Sequence, residues 1–306
     1  MFKYVVAGTV ATAVSALHPV SEEMIKAIQE QKPAWSTMDI SENPLNNKTV
    51  EELMGLMGSY IVEDNEIYPR VEYDYTAIPD SHDSRDKWGT KIHPIRDQQS
   101  CGSCWAFGAS EALTDRFAIK GLDVKIILSP EDMVSCDTSN LGCNGGYLNK
   151  AWNYLTTTGI VEEPCFPYTA GSGKAEACRK TCVNGAPYKK YKCASGSVVH
   201  PVRIADIKAE LYNNGPLEGA FTVYNDFFNY AGGVYHHVSG GVAGGHAIKV
   251  LGYGTLNGEN YWLCANSWGP SWGEKGFFKI RQGDSGIDQQ MYGCTPAAAT
   301  EELAFE

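Results

Sequence analysis

All ten cysteines of this 306-residue chain fall at or after Cys101, and that lopsided distribution constrains its fold more than any other feature. A chain passing through an oxidising compartment pairs most of its thiols. The region from Cys101 onward is therefore expected to be a cross-linked globular body, and the stretch before it a different kind of material. The first residues point to the oxidising route. Lys3 gives a basic start, Tyr4 to Val14 is apolar and almost uncharged, and Val14-Ser15-Ala16 offers the small residues a signal peptidase accepts. Residues 1–16 are thus expected to be a signal peptide, cleaved after Ala16. That run is too short to span a bilayer, and no later run is long and apolar enough, so no membrane partner is expected.

Residues 17–77 contain no cysteine, show no sign of a dense core of their own, and include helix-like pieces. Ser21 can cap one helix whose Met24, Ile25 and Ile28 share a face, with Lys32-Pro33 ending it. A second piece spans Thr49 to Met57, with Leu53, Met54 and Met57 on one side. Helices this short need a partner surface, which suits a removable segment lying on the next domain. In a secreted chain Asn47-Lys48-Thr49 makes Asn47 an acceptor for N-glycosylation.

From about residue 78 helices come first and strands afterwards. Helical stretches are expected over Cys104–Lys120, Gly146–Thr157 and Arg203–Asn213. Strands are expected over Leu217–Val223, His246–Tyr253, Tyr261–Ala265 and Gly276–Arg281. This order indicates an α+β fold with a helical half packed on a β half. The net charge of −11 argues against nucleic acid, because neutralising phosphates takes clustered Lys and Arg.

The most specific stretch is Gln98-Gln99-Ser100-Cys101-Gly102-Ser103-Cys104-Trp105. A thiol reacts only as thiolate, so a nucleophilic cysteine needs a group that lowers its pKa. Cys104 stands where a glycine-containing turn becomes a helix, and a helix N-terminus favours negative charge. Gly244-Gly245-His246 supplies a histidine for a thiolate–imidazolium pair. Asn266, at the end of a later strand, can orient that imidazole, while Gln98 and the Cys104 N–H can hold an oxyanion. Four separate pieces thus make an acyl-transfer site.

These motifs resemble the papain family of cysteine proteases, and more narrowly its cathepsin B branch. The likeness rests on Ile95-Arg96-Asp97-Gln98, Cys143-Asn144-Gly145-Gly146-Tyr147, Asn214-Gly215-Pro216-Leu217-Glu218-Gly219-Ala220-Phe221, Gly244-Gly245-His246-Ala247-Ile248 and Tyr261-Trp262-Leu263-Cys264-Ala265-Asn266-Ser267-Trp268. It spans about residues 78 to 293, and more weakly the segment around Trp35. The resemblance implies a papain-like fold: a helical half, an antiparallel β-barrel half, a cleft between them and a short helical propeptide in front. It divides the chain into residues 1–16 (signal peptide), 17–77 (propeptide) and 78–306 (catalytic domain). It implies Gln98 for the oxyanion, Cys104 as nucleophile, His246 as acid/base and Asn266 as orienter. Trp268 would cover the His–Asn bond, and Gly145 and Gly146 would pair with an extended peptide. The disulfides implied are Cys101–Cys143, Cys136–Cys178 and Cys165–Cys182. Cys193, Cys264 and Cys294 have no partners in that pattern; Cys264 reads as a buried free thiol, and a Cys193–Cys294 bond stays open.

The chain departs from the branch in three places. The stretch Cys165 to Cys182, where cathepsin B carries an occluding loop with two histidines, is short and contains no histidine. Internal cutting with little release of C-terminal dipeptides is therefore expected. At the floor of the main specificity pocket Gln290 stands in place of a glutamate, with Asp288 as the nearby alternative acid, so apolar or aromatic side chains are expected there over Arg. Gln99 replaces a glycine beside the oxyanion glutamine. Expected partners are peptide and protein substrates, the chain's own propeptide as inhibitor, and cystatin-type inhibitors, with the enzyme monomeric in a lysosome or acidic vesicle or exported.

Cys101-Gly102-Ser103-Cys104 also has redox or metal spacing, but lacks nearby further ligands and a preceding βαβ pattern, so no cofactor and no metal are expected. His236-His237, adjacent and therefore facing opposite ways on a strand, reads as a solvent-facing loop pair. The remaining rival is a catalytically silent papain-fold binding protein, against which stands the presence of all four site residues.

Overall fold

The computed structural model describes residues 17–63, 66, 68–69, 71–122, 126–297 and 300–301; the expected signal peptide, 1–16, lies outside them. Along the N-terminal stretch run helix α1 (Glu22–Glu30), strand β1 (Trp35–Thr37) and helix α2 (Val50–Met54). Ser21 caps α1 by accepting from the Met24 N–H. Thr49 and Glu52 form a reciprocal capping box on α2, so each short helix has its free N-terminal amides partly satisfied. The second helix closes at Met54, earlier than its apolar pattern suggested, because Gly55 sits at its end. Asn47 is exposed in the turn before α2.

This stretch has no core of its own. Met24, Ile28, Trp35, Leu45, Leu53 and Leu56 are buried in one cluster with Phe221, Phe227, Trp268 and Trp272 of the later chain. Strand β1 joins the edge of the main sheet by antiparallel pairing of Trp35 with Gly233 and Ser36 with Gly232.

Next come β2 (His82–Asp83) and α3 (Ser84–Trp88), then α4 (Cys104–Ile119), α5 (Pro130–Cys136) and α6 (Leu148–Thr157). Helix α4 is buried on all sides from Cys104 to Ala118. The expected one-sided face is therefore absent, as in helices that run through a core. Its buried charges are matched: Asp115 meets Lys249 at 2.8 Å and Arg116 meets Glu210 at 2.9 Å. Strand β3 (Lys189–Lys190), helix α7 (Ile204–Asn214) and strands β4 (Leu217–Tyr224), β5 (Tyr230–Tyr235), β6 (Val242–Leu256), β7 (Glu259–Ala265), β8 (Phe277–Arg281), β9 (Met291–Tyr292) and β10 (Thr300–Glu301) complete the chain.

The main sheet runs β1-β5-β8-β7-β6-β4-β9, with β2 also on β6. Its pairings are antiparallel except β5 beside β8. Two cores result. One, under the sheet, is aromatic; the other gathers α4, α5 and α6 around Trp105, Phe117 and Trp152. The fold is α+β, with a helical part against a β part.

Disulfides join Cys101 to Cys143, Cys136 to Cys178, Cys165 to Cys182, and Cys193 to Cys294. The last closes the pairing that the sequence left open. Cys104 and Cys264 are free and buried. His236 and His237 lie in a loop as expected, but both are half-buried rather than open to solvent. His237 Nδ1 lies 3.2 Å from the buried Asp226 carboxylate and its ring stacks on Tyr224, while the His236 carbonyl accepts from Trp35 Nε1 at 2.9 Å. Among the described residues no helix is long and apolar enough to cross a membrane, and no cluster of acidic, His or Cys side chains could hold a metal ion.

Candidate active site

Cys104 is the first residue of α4, and the residue before it, Ser103, makes no side-chain cap. The Ser103 hydroxyl is engaged instead with Tyr168 at 2.8 Å. The Ala106 N–H bonds the Ser103 carbonyl at 2.9 Å, while the sulfur of Cys104 receives the N–H groups of Trp105 and, from strand β6, Ala247. Such donors stabilise a thiolate. Here two more come from the N-terminal stretch: the Gly58 N–H and the Ser59 hydroxyl, each 3.3 Å from Sγ. Burial nonetheless dominates and pushes the Cys104 thiol up, because covering the sulfur removes the water that would solvate its charge.

His246 stands on β6 directly before Ala247, whose N–H meets the sulfur. Its Nε2 is 2.8 Å from Asn266 Oδ1, and its Nδ1 is buried with no hydrogen-bond partner. An amide oxygen can only accept, so Nε2 carries the proton and Nδ1 presents a bare lone pair. Trp268 covers the ring at a centroid distance of 4.8 Å. Burial lowers the His246 pKa from 6.5 to about 4, against the opposing pull of Asn266 and the Leu56 carbonyl. With the cleft covered, both partners are thus held neutral.

Gln98 is fully buried. Its Nε2 donates to the Leu56 carbonyl at 3.0 Å and to the Cys101 carbonyl at 2.9 Å, and its Oε1 accepts from the Ser267 hydroxyl at 2.7 Å. Ser267 thereby fixes which way the amide faces. No motif assigned this serine a role, although its place between Asn266 and Trp268 put it within reach. Tyr168, whose hydroxyl also reaches the Gln98 carbonyl at 2.8 Å, carries no such signal. Glu218 lies buried nearby, accepts from Trp152 Nε1 at 2.7 Å, and is raised well above the usual carboxylate range by burial. Kept protonated, it adds no negative charge against a thiolate.

Gly146 forms a rung with the N-terminal stretch: its N–H donates to the Gly58 carbonyl and its carbonyl accepts from the Tyr60 N–H, both at 2.9 Å. A side chain at Gly146 would meet Trp105 at 2.6 Å, and one at Gly58 would meet the Gly102 carbonyl at 2.0 Å. Both chains need glycine to come this close. Gly145 is buried at positive φ in the same turn. Residues Leu56 to Val62 therefore form the passage across the site. Tyr60 stacks on Tyr147 at 4.9 Å, and the Val62 carbonyl accepts from Gln290 Nε2 at 3.0 Å. Asp288 is turned into the core, where Trp262 Nε1 holds it at 2.6 Å, leaving Gln290 as the polar group facing the passage.

Residues 78–295 match the family model described as papain family cysteine protease. The chain is 40% identical over 252 residues to "Cathepsin B-like CP3" of Giardia intestinalis, covering 80% of this chain and 84% of that protein. It is 45% identical over 231 residues to a "Gut-specific cysteine proteinase" of Caenorhabditis elegans, covering 68% of this chain and 70% of that one. Among solved structures, proCathepsin B S9 from Trypanosoma congolense superposes with a TM-score of 0.85 at 31% identity, over 91% of this chain and 99% of that one.

Proposed function

The chain belongs to the papain family of cysteine proteases, and from that premise we propose that it is a cathepsin B-like endopeptidase held inactive by its own residues 17–77. In the uncovered site the Cys104 thiol passes its proton to His246 Nδ1, and the thiolate adds to a peptide carbonyl. Gln98 Nε2 and the Cys104 N–H hold the resulting oxyanion. His246 returns the proton to the leaving amine, and water then hydrolyses the thioester, with His246 accepting its proton. Asn266 and Trp268 keep the imidazole in the productive tautomer.

One observation carries this reading: the chain occupies its own catalytic apparatus. The Leu56 carbonyl sits on Gln98 Nε2 at 3.0 Å and the Gly58 N–H sits on the Cys104 sulfur at 3.3 Å. The direction of that passage matters. The proton donor must face the leaving amine, so a substrate runs from the Gly146 side, past Cys104, toward His246 and Trp268. Leu45 and Leu56 lie toward Trp268, whereas Tyr60 and Val62 lie toward Gly146 and Gln290. The covering segment therefore runs backwards, and its Ser59 bridges Gly146 in the parallel sense.

The remaining features follow from this reading. Residues 1–16 direct secretion, Asn47 takes a glycan, and cleavage near the exposed Ala77 frees 78–306 as a monomer that cystatin-type inhibitors can close. The enzyme works in an acidic vesicle or outside the cell. No histidine lies between Cys165 and Cys182, which supports internal cutting over removal of C-terminal dipeptides. The uncharged Gln290 supports a preference for apolar or aromatic residues two positions before the cut.

Digesting an unbiased peptide library with the processed enzyme tests these points together. Internal cuts, with an apolar residue two positions upstream and none in Cys104→Ala, are the expected result. Efficient dipeptide release from free C-termini would refute the endopeptidase reading. Slow alkylation of Cys104 by iodoacetamide at mildly acidic pH would instead indicate a silent binding protein.

A further inference from the structure

On the leaving-group side of the nucleophile the cleft holds a second polar feature that the chemistry above does not use. A cavity there is lined by Leu56 and Lys48 of the covering segment and by Asp97, Gln99 and Trp268 of the catalytic domain. Asp97 is fixed in place. Its backbone pairs with Trp268, and its Oδ1 accepts from the Gln99 N–H at 2.8 Å. Its Oδ2 packs along Gly269, 3.2 Å from where a side chain there would begin, and the residue is exposed. The neighbouring Arg96 offers it no neutralising charge, since that guanidinium is turned to Glu163 at 2.7 Å. In the covered form the cation sharing the cavity is Lys48, and it leaves with the segment that carries it.

We propose that Asp97 is a specificity-determining residue, selecting a basic side chain at the first or second position after the scissile bond. The inference rests on the assignment of Cys104 and His246 above. A substrate leaving past Trp268 advances about 3.3 Å per residue, so its first two residues cross the strip where Asp97 pairs with Trp268. A Lys or Arg there takes the place vacated by Lys48. An acidic side chain, or a free terminal carboxylate, meets an unneutralised carboxylate instead. The same feature thus disfavours short C-terminal products, in keeping with internal cutting. A cation also lies near this part of the cleft: Lys174, exposed and next to Gly173, which packs against the Ser100 carbonyl.

The test is a peptide series identical up to the cut and carrying Lys, Ala or Glu at each of the first two positions after it. It is read as the Lys-to-Glu ratio of kcat/KM within each enzyme, so that a general loss of activity cancels. The processed wild-type enzyme should favour Lys by about three- to ten-fold at low salt, shrinking as salt is raised. Asp97→Asn should bring the ratio close to one, Asp97→Glu should restore it, and Lys174→Ala should widen it. An unchanged ratio in Asp97→Asn, or a wild-type preference for Glu that Lys174→Ala removes, overturns the proposal. If instead no peptide is cut and Cys104 resists alkylation, the catalytic assignment has failed and not the role of Asp97.

Discussion

The two walls of the cleft are built by different means. The wall bearing Cys104 is stapled: Cys101–Cys143, Cys136–Cys178 and Cys165–Cys182 all lie within it, and Cys193–Cys294 ties its far side to the end of the chain. The wall bearing His246 has, among the described residues, no disulfide between β4 and β8 and a free thiol at Cys264. Its rigidity comes from packed rings, with Phe227 against Trp272 at 5.0 Å and Trp268 against Trp272 at 5.0 Å. The difference shows where each wall must be firm. Cys104 opens a helix straight after the loop that carries Cys101, which covalent links can fix. His246 rides in a long strand whose orientation depends on what lies beneath it, and there aromatic packing supports the 2.8 Å contact of His246 with Asn266.

The largest expected effect removes chemistry from either wall. Cys104→Ala and His246→Ala should each lower kcat/KM by on the order of 10^4-fold or more. Cys104 alkylation at pH 5 to 6 should slow in the histidine variant, since the thiolate then loses its counter-charge. Rapid alkylation in His246→Ala would mean that the helix end activates the thiol alone.

Stability should separate the walls next, measured by urea unfolding of the zymogen in the Cys104→Ala background. Removing the Cys193–Cys294 link, which closes a span of 101 residues, should cost roughly 4–5 kcal/mol from loop entropy. Trp272→Ala should cost roughly 3–5 kcal/mol from the cavity it leaves. A reductant should erase the first difference and spare the second. If reduction destabilises both variants equally, the contrast between the walls is wrong.

A smaller effect concerns pH. In the covered form His246 is depressed from 6.5 to about 4, so docking of residues 17–77 is favoured by the neutral imidazole. That contribution is complete above pH 6.5 and is lost as pH falls toward 4, where an uncovered histidine binds a proton that the covered one refuses. The rate of segment release, followed by Tyr and Trp fluorescence in the Cys104→Ala zymogen, should rise across that window, and His246→Gln should flatten the rise. The smallest effect lies at Gln99, which adopts a φ of +55°. Gln99→Gly should stabilise the fold by about 1 kcal/mol or less by relieving a left-handed non-glycine residue.

Much of the site was legible because its chemistry demands rare residue types in fixed settings. A cysteine at a helix start, a histidine after two glycines and an asparagine ending a strand are hard to read otherwise. Helix α7 and strands β4, β7 and β8 lie within two residues of their apolar patterns. The rest was hidden for physical reasons. Strand β1 is three residues long and exists only because another strand receives it. Strand β5 carries Gly232 and Gly233, which break its alternation. Helix α5 had a readable start in Ser129 and Pro130, with the serine accepting from the Asp132 N–H, but it is too short for periodicity to reveal. The partner of Cys193 is set by tertiary contact alone.

If residues 17–77 are removed as proposed, strand β1 has a further consequence. Where Trp35 and Ser36 now sit against Gly233 and Gly232, departure of the leader strips β5 of its neighbour and bares a row of amides and carbonyls beside an emptied tryptophan niche. Such a border is adhesive toward any extended chain, including a sister molecule. The leader is therefore a sheath as well as a gag. Catalytic domain produced without it should clump at concentrations that the full-length precursor tolerates.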